Sequence, residues 1–245
     1  MPADQIASIS PLDSERFGIV VARADDVVGS AVPALLSFVR EHDVEMVIAR
    51  CEGADQDAAR ALVDAGMDLL ESQITYRGPV EPQAHEDRIR EAVPEDADAV
   101  AELARTGFEN LAGHYHADSR LASHAPREIY VDWTLRGLAG EAADVFYVAE
   151  LEGRVAAFGM FSQDGPEVTF LLSTVAERAR GEGLYAAILR RGMTWGAERG
   201  AEAMIGITAH GNIPPQRNLI KAGLRPVAAT STFHGWRDRL EPQGR

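Results

Sequence analysis

The chain has 245 residues, of which 46% are hydrophobic, enough for one large core or two modest ones. Its net charge of −14 and pI near 4.9 argue against binding to nucleic-acid phosphates or anionic membranes. The single cysteine, Cys51, excludes a disulfide framework and a cysteine-rich metal site. Without a signal-peptide core or an apolar run of ~20 residues, the sequence predicts a cytoplasmic protein with no membrane partner.

Residues 1–78 predict a small α/β unit. Its apolar pattern predicts a strand at 17–22, a helix at 31–41, a strand at 45–50, a helix at 56–65 and a strand at 69–76. Gly66 stands where the end of a helix favours a left-handed residue, and Gly223 does the same later in the chain. Two prolines and the lack of an apolar period indicate a linker at 79–87.

Residues 88–237, followed by a tail at 238–245, predict a larger α/β unit with several consecutive strands. The predicted elements are a strand at 88–93, a helix opened by Pro94, an irregular histidine-rich stretch at 108–127, a helix at 128–138, strands at 145–151, 154–161 and 168–175, a helix at 184–199, a strand at 203–210, a helix at 215–222 and a strand at 226–233. The strand at 203–210 is apolar enough to be buried and parallel.

The most informative stretch is residues 178–183, Arg-Ala-Arg-Gly-Glu-Gly, between a predicted strand and a predicted helix. Gly181 and Gly183 permit a tight turn and a close approach of the backbone to a ligand. The following helix presents unpaired N–H groups and the positive end of its dipole, which suit a pyrophosphate. A G-x-G pattern after a strand is weak by itself and is compatible with any nucleotide or with no ligand.

The chain also contains an internal repeat at an offset of 157 residues. Residues 55–78 align without a gap with residues 212–235, and six of the 24 positions are identical. We interpret the first segment as a degenerate copy of the second, although convergence on a helix–glycine–strand unit is an alternative. The first segment has no R-x-x-G-x-G, so we do not expect it to bind the same ligand.

The seven histidines have no spacing that is typical of a metal site. His114 and His116 are two residues apart and could hold a metal on an extended segment, but a polar loop is the favoured interpretation. The sequence therefore predicts no metal cofactor.

These motifs resemble the GCN5-related N-acetyltransferases (GNAT). The resemblance covers roughly residues 88–236 and rests on R-x-x-G-x-G between a strand and a helix, followed by Asn212 and by Gly223-Leu224. Shorter motifs resemble the dTDP-fucosamine acetyltransferases and their relatives: DSERFG at 13–18, HAD at 116–118, Tyr130-x-x-Trp133 and TFHGW at 232–236. The resemblance implies a GNAT fold, a mixed and strongly twisted central sheet flanked by helices, preceded by a smaller degenerate GNAT-like α/β half-domain.

The resemblance also implies acetyl-CoA as co-substrate. In this superfamily the pyrophosphate lies on the turn before the third helix, and the pantetheine pairs with the preceding strand where the next strand splays away. The residues that match these positions are Leu172, Ser173, Thr174, Val175, Arg178, Arg180, Gly181, Glu182, Gly183, Leu184, Tyr185, Asn212 and, as a weaker candidate, Asn218. Glu182 stands where lysine is common and is expected to point to solvent.

The implied reaction is direct attack of an amine on the thioester carbon. Alignment of the reactants supplies part of the ~7–11 kcal/mol available from orientation. A backbone N–H near Val175 could stabilise the developing oxyanion by ~3 kcal/mol. Many family members have a tyrosine seven residues after the asparagine, but that position is Leu219 here, so no general acid is assigned.

His210 and His116 are candidate bases because histidine titrates near neutral pH. The alternative for His210 is capping of the backbone at the end of its strand, and the alternative for His116 is to donate a hydrogen bond to the sugar. Tyr130 and Trp133 share a helix face, where they could stack on a nucleotide base or belong to the core. The candidate acceptor-binding residues are Tyr115, His116, Tyr130, Trp133, His234 and Trp236.

The sequence thus predicts an acetyl-CoA-dependent N-acetyltransferase that acetylates the amine of a nucleotide-linked, dTDP-type amino sugar. One alternative is a GNAT that acts on another amine: an antibiotic, a polyamine or a protein. A second alternative is a non-catalytic acyl-CoA-binding module, suggested by Leu219. The expected partner is a small-molecule amine and not a nucleic acid. A homodimer could form, but the sequence does not decide the oligomeric state.

Overall fold

A computed structural model describes residues 6–83, 86–109, 113–124 and 126–240. The chain forms two compact units, which we call unit 1 (1–74, 112–124 and 228–245) and unit 2 (75–111 and 125–227). These units are defined by contacts in space, whereas the boundaries expected from the sequence at 78, 88 and 237 follow chain order. Those domain boundaries stay a prediction.

Unit 1 is an α/β unit in which the strands follow the order β1-β2-β3-β10-β4. Its elements are β1 (Ser8–Ile9), α1 (Pro11–Phe17), β2 (Val21–Ala24), α2 (Val32–Glu41), β3 (Met46–Glu52), α3 (Gln56–Asp64), residues 68–74 of β4 (Asp68–Pro79), α5 (His114–Ala117), a 3-10 helix at Ser119–His124, and residues 228–236 of β10 (Arg225–Trp236). β2 is parallel to β3, and β10 is antiparallel to β3. Helices α2 and α3 cover the apolar face of this sheet.

Unit 2 is also α/β, with the strand order β4-β9-β8-β7-β6-β5. Its elements are residues 75–79 of β4, β5 (Ile89–Glu91), α4 (Ala97–Gly107), α6 (Pro126–Leu138), β6 (Val145–Leu151), β7 (Arg154–Asp164), β8 (Glu167–Val175), α7 (Leu184–Glu198), β9 (Ala203–Ala209), α8 (Ile213–Lys221) and residues 225–227 of β10. β9 is parallel to β8, as the sequence predicted, and the other registered pairs are antiparallel. The expected mixed α/β fold is confirmed. No helix in the described ranges is long and apolar enough to cross a bilayer.

The strand expected at 17–22 is wrong, because Phe17 ends helix α1 and β2 begins only at Val21. The Ser10 hydroxyl caps α1 by accepting a hydrogen bond from the Asp13 N–H, Pro11 occupies the first turn, and Gly18 ends the helix with φ of 66°. These capping signals outweigh the apolar run that follows Phe17. The stretch expected to be irregular contains α5 and the 3-10 helix at Ser119–His124.

The internal repeat is reproduced element for element. At the offset of 157 residues, β3, α3 and β4 have the same bounds as β9, α8 and β10. Gly66 and Gly223 follow the two equivalent helices with φ of 90° and 92°. The parallel pairing also repeats, since β2 meets residues 46–49 of β3 and β8 meets the equivalent residues 203–206 of β9. The similarity therefore extends beyond the segment that aligns in sequence.

The two repeats differ between the parallel strand pair and the following helix. In unit 1 residues 25–31 connect the last paired residue, Ala24, to α2. In unit 2 residues 171–183 connect Phe170 to α7. The longer connection consists of the extension of β8 and the glycine turn, which are the segments that the sequence associates with acetyl-CoA.

Candidate active site

Strands β8 and β9 part in the middle of unit 2. Their parallel pairing ends at Phe170 and Gly206, although β8 continues to Val175 and β9 to Ala209. At the same place β8 has a bulge, because Phe161 of β7 faces Phe170 whereas Met160 faces Leu172. A bulge bends its strand and disrupts the local ladder. Residues 171–175 of β8 thus border a gap on the side of β9.

The backbone of Val175 points into this gap. The Ala176 N–H donates to the Ala156 carbonyl at 2.8 Å, which makes that facing pair hydrogen-bonded. Facing pairs in an antiparallel ladder alternate, so the adjacent pair, Ala157 and Val175, is not hydrogen-bonded. The Val175 N–H is therefore directed away from β7, where it can donate to a ligand.

The glycine turn follows a 3-10 helix at Glu177–Ala179 and leads directly into α7. Gly181 and Gly183 have φ of 91° and 77°, a conformation that costs ~1–2 kcal/mol for a residue with a side chain. Gly183 is the N-cap of α7 and provides no side-chain cap. The N–H groups of the first turn of α7 are thus left to solvent or to an anion, for which the helix dipole is favourable.

The two arginines expected at this turn differ in position. Arg178 donates to the Val155 carbonyl at 3.1 Å and is held against β7. The Arg180 side chain is 64% exposed and lies 4.0 Å from Glu177. Because such an exposed ion pair is weak, Arg180 can turn to bind an anion instead. Glu182 is exposed, as expected from the sequence.

Sequence analysis missed a third arginine, Arg88, at this turn. Its Nη1 donates to the Glu182 carbonyl at 3.3 Å. Glu86 is ion-paired with Arg88 and also with Arg190 of α7, the latter at 3.0 Å. Burial raises the pKa of Glu86, but the hydrogen bonds from the two arginines outweigh it and lower the pKa. No local pattern in the sequence connects Arg88 to the turn, because the two are 94 residues apart.

The side chains of β8 and α7 are packed around the gap. Tyr185 of α7 meets the Phe170 ring edge-on at 5.5 Å between ring centroids. Burial raises the pKa of Tyr185 well above its usual value, and its hydrogen bond with Ser173 opposes the shift only in part. Thr174 is buried beneath Gly107 of α4, where a Cβ would overlap its side chain. Tyr185 is therefore neutral and in place as a wall of the gap.

Asn212 and His210 lie at the carboxyl end of β9. Asn212 is half-buried and is the N-cap of α8, but its side chain makes no capping hydrogen bond. Gln216 holds this end of β9 by donating to the carbonyls of Ala209 and His210 at 3.2 and 2.6 Å. His210 itself is exposed. The amide of Asn218 instead donates to the Pro214 carbonyl of its own helix at 3.0 Å.

Two of the candidate acceptor residues, Tyr130 and Trp133, lie on α6 in unit 2. Both are partly buried against the core of that unit. Tyr130 stacks on Phe108 with ring centroids 4.8 Å apart. Their packing agrees with the alternative interpretation of this pair as core residues, and their role toward an acceptor stays a prediction.

The other candidates belong to unit 1, where His234 and Trp236 share one carboxylate. Asp118 accepts from His234 Nδ1 at 2.7 Å and from Trp236 Nε1 at 2.9 Å. Burial alone raises the pKa of Asp118, and these two hydrogen bonds bring it below the usual value. The guanidinium of Arg120 stacks on Trp236, 4.0 Å from the ring centroid. The motifs at 116–118 and 232–236 are thus joined in one cluster.

Tyr115 belongs to a second cluster in the same unit. Its hydroxyl donates to Asp13 at 3.0 Å and accepts from Arg23 at 2.7 Å. Burial raises the pKa of Tyr115 to about 12, so the hydroxyl stays protonated. His116 is half-buried, and burial lowers its pKa. The contact between Tyr115 and Asp13 had one signal in the sequence, the motif at 13–18 that contains Asp13.

The described residues contain no group of three or more His, Cys, Asp or Glu side chains that could hold a metal ion. The pair His114 and His116 therefore has no third ligand of these types in the ranges that the structure covers.

Residues 99–222 match the sequence model of the acetyltransferase (GNAT) family. The chain belongs to this family. Its members are N-acetyltransferases that use acetyl-CoA as co-substrate. No curated protein is similar enough to the chain to count as a match.

Several solved structures share the fold. A GCN5-related N-acetyltransferase from Sphaerobacter thermophilus has a TM-score of 0.62 and 14% identity, over 94% of this chain and 76% of its own. A tandem GNAT protein from the clavulanic acid biosynthesis pathway has a TM-score of 0.56 and 15% identity, over 89% and 75%. A glucosamine N-acetyltransferase region of a fungal multi-domain β-N-acetylglucosaminidase has a TM-score of 0.56 and 13% identity, over 94% and 31%. At these identities the likeness concerns the fold alone.

Proposed function

We propose that the protein transfers the acetyl group of acetyl-CoA directly to the amine of a nucleotide-linked, dTDP-type amino sugar. The observation that supports acetyl-CoA as co-substrate is the gap between β8 and β9. The segment of β8 that borders this gap is followed along the chain by the glycine turn that begins α7. For the acceptor, the support is the resemblance of several short motifs to those of dTDP-fucosamine acetyltransferases. A related fold is also described as a glucosamine N-acetyltransferase region.

The residues present fit acetyl-CoA. The N–H groups at the start of α7, with Arg180, would hold the pyrophosphate, and the open edge of residues 172–175 would pair with the amides of the pantetheine arm. Asn212 has a side-chain amide free of capping contacts for the same arm. Acetyl-CoA supplies the acetyl group as a thioester.

Catalysis would come mainly from orientation and from charge stabilisation. The Val175 N–H would donate to the carbonyl oxygen as negative charge develops on it, an effect of ~3 kcal/mol. The amine loses a proton as the new C–N bond forms and the C–S bond breaks, and the thiolate then takes up a proton. His210 and His116 remain the candidate proton acceptors. No side chain is assigned as general acid, since Leu219 is 1% exposed and apolar.

The acceptor-binding roles of Tyr115, His116, His234 and Trp236 in unit 1, and of Tyr130 and Trp133 in unit 2, stay predictions. A GNAT that acts on another small-molecule or protein amine stays an alternative. The buried Leu219 favours a second alternative, a non-catalytic acyl-CoA-binding module. The cytoplasmic location and the homodimer stay predictions.

The test is thiol release from acetyl-CoA by the purified protein across a panel of amines. The panel contains dTDP-linked amino sugars, an aminoglycoside, a polyamine and a lysine peptide, with the N-acetylated sugars as matched controls. Release with one dTDP-amino sugar and not with its N-acetylated form would support the proposal. Release with another amine would move the function to the first alternative. Acetyl-CoA binding without release for any amine would favour the binding module.

A further inference from the structure

One glutamine of α8 holds the carboxyl end of β9. This end of the strand continues past Gly206, the last residue that pairs with β8. Gln216 Nε2 donates to the carbonyls of Ala209 and His210 at 3.2 and 2.6 Å. The Asn212 N–H also donates to the Ala209 carbonyl, at 2.9 Å. These bonds fix the turn from β9 into α8, so the position of Asn212 depends on Gln216.

Tyr76 of β4 fixes the orientation of the Gln216 amide. Tyr76 is 2% exposed, and its hydroxyl lies 3.0 Å from Gln216 Oε1. A backbone carbonyl only accepts, so the NH₂ group of Gln216 must face β9 and its oxygen must accept from the hydroxyl. A buried hydroxyl needs a partner, and therefore the two side chains constrain each other. All the residues of this arrangement belong to unit 2.

The equivalent turn in unit 1 has no such pair. At the offset of 157 residues, Tyr76 is replaced by Phe233 and Gln216 by Ala59. Both replacements pack in the apolar core of unit 1, and neither has a polar side-chain atom. Because the two repeats form the same elements, the fold does not require the tyrosine–glutamine pair. The pair is found in the unit whose strand extension and glycine turn we assign to acetyl-CoA.

Two prolines leave the Asn212 side chain without a capping partner. Asn212 and its equivalent, Asp55, are N-caps with similar backbone angles: φ −87° and ψ 78° for the first, φ −80° and ψ 85° for the second. Asp55 accepts from the Ala58 N–H at 2.9 Å. An N-cap side chain bonds the second or third N–H of its helix, but those positions in α8 are Pro214 and Pro215, which have none. The Asn212 side chain is therefore left for another partner.

We propose that Tyr76, Gln216 and Pro215 are positioning residues for acetyl-CoA that act through Asn212. Gln216, oriented by Tyr76, fixes the end of β9, and Pro215 keeps the Asn212 side chain uncapped. The amide of Asn212 is thereby presented to the pantetheine arm. This inference rests on the proposed function for the contact between Asn212 and that arm.

The first test is calorimetric titration of the full chain with two probes, acetyl-CoA and 3′-phosphoadenosine 5′-diphosphate. The second probe is the nucleotide half of the cofactor and lacks the pantetheine arm. Tyr76→Phe and Gln216→Ala introduce the residues that unit 1 has at the equivalent positions. We expect each to weaken acetyl-CoA binding roughly two- to tenfold and to leave the nucleotide affinity unchanged. Unchanged acetyl-CoA affinity, or an equal loss for both probes, would overturn the proposal.

Matched controls for both changes are available in unit 2. Gln163 also donates to two backbone carbonyls, those of Gly165 and Arg199, at 3.0 and 3.4 Å. Tyr147 is also a buried tyrosine, but its hydroxyl has no hydrogen-bond partner among the residues that the structure describes. Gln163→Ala and Tyr147→Phe should therefore leave the affinities for both probes unchanged.

A double-mutant cycle tests whether Gln216 acts through Asn212. If it does, Gln216→Ala should change the acetyl-CoA affinity by less than about twofold in an Asn212→Ala background, because the positioned side chain is already absent. Tyr76→Phe should likewise add little in a Gln216→Ala background. Fully additive losses in either cycle would overturn the proposed route.

Pro215→Ala tests the uncapped state of Asn212. The change restores an N–H where unit 1 has that of Ala58, so Asn212 can cap α8 as Asp55 caps α3. We expect acetyl-CoA binding to weaken roughly two- to fivefold. Thermal unfolding should stay close to that of wild type, because the new cap offsets the greater freedom of the unfolded chain. Wild-type affinity in Pro215→Ala would overturn the role of this proline.

The outcomes separate this inference from the proposed function. Acetyl-CoA binding that depends on Gln216, without thiol release for any amine, would leave the positioning residues intact and refute the acetyltransferase. Thiol release with an acetyl-CoA affinity that Gln216→Ala does not change would refute the positioning role alone. Failure of the wild type to bind acetyl-CoA would overturn both.

Discussion

Leu219 of α8 lies directly against Gly206 of β9, where a Cβ on the glycine would come within 2.6 Å of the leucine Cδ2. The equivalent residue in the first repeat is Leu62, and the two leucines are 0% and 1% exposed. The position that bears a tyrosine in many acetyltransferases is therefore a core position here, built in the same way in both repeats. Its side chain is directed at the sheet and fills the space that a small residue on β9 leaves.

We expect Leu219→Tyr to destabilise unit 2 by ~1–3 kcal/mol and not to raise kcat, because the larger ring overpacks the contact with Gly206. Leu62→Tyr is the matched control, since it makes the same change at the equivalent position of unit 1. Urea unfolding and thiol release measure the two effects. A stable Leu219→Tyr variant with a higher kcat would mean that this site can accept a general acid.

Gly181→Ala should weaken acetyl-CoA binding because alanine disfavours the φ of 91° that directs the turn toward the ligand. Gly153→Ala, in the β6–β7 turn with φ of 70°, imposes a similar strain elsewhere in unit 2. Both changes should cost about 1 kcal/mol of stability. Only the first should change the dissociation constant in a calorimetric titration, and an equal loss in both variants would remove the turn as the binding element.

Arg88→Ala should weaken acetyl-CoA binding roughly two- to tenfold, which corresponds to the net free energy of one hydrogen bond. The cause is loss of the bond from Arg88 to the Glu182 carbonyl, which orients the turn before α7. Arg77→Ala is the matched control, because Arg77 pairs with Glu167 at 2.8 Å elsewhere in the same unit. Comparable dissociation constants for wild type and Arg88→Ala would show that the turn needs no such support.

Asp13 should make the stability of unit 1 depend on pH in the acid range. Burial opposes its ionisation, but hydrogen bonds from Arg23, Ser10 and Tyr115 lower its pKa below the ordinary 3.8. A lowered pKa in the folded state gives stability that is complete above the ordinary pKa and is lost as the pH falls through the lowered one.

The variant Asp13→Asn should therefore be less stable than wild type by ~1.5–3 kcal/mol at neutral pH, and the difference should shrink below about pH 4. Urea unfolding at several pH values measures it. Asp64→Asn, at an exposed aspartate of the same unit, should show no such difference. A difference that stays constant down to about pH 3 would contradict the assigned ion pair.

Local signals predicted many elements well. The bounds of β6 were predicted to the residue, and α7 was predicted to within one residue, because the alternation of apolar residues and the flanking glycines act over short distances. Phe17 was assigned to a strand because its neighbours are apolar, but Ser10 and Gly18 cap a helix at its two ends. In this segment the capping residues decided the structure and the apolar pattern did not.

The sequence by itself determined the family, the glycine turn between β8 and α7, and the repeat at 157 residues, because each depends on residues close together in the chain or on direct alignment. Only the tertiary structure decided that β10 pairs with β3, that Arg88 supports the turn, and that His114 meets His234. Residues 94 and 120 positions apart form these two hydrogen bonds. Such contacts arise when separate segments pack together, and their side-chain geometry leaves no local pattern in the sequence.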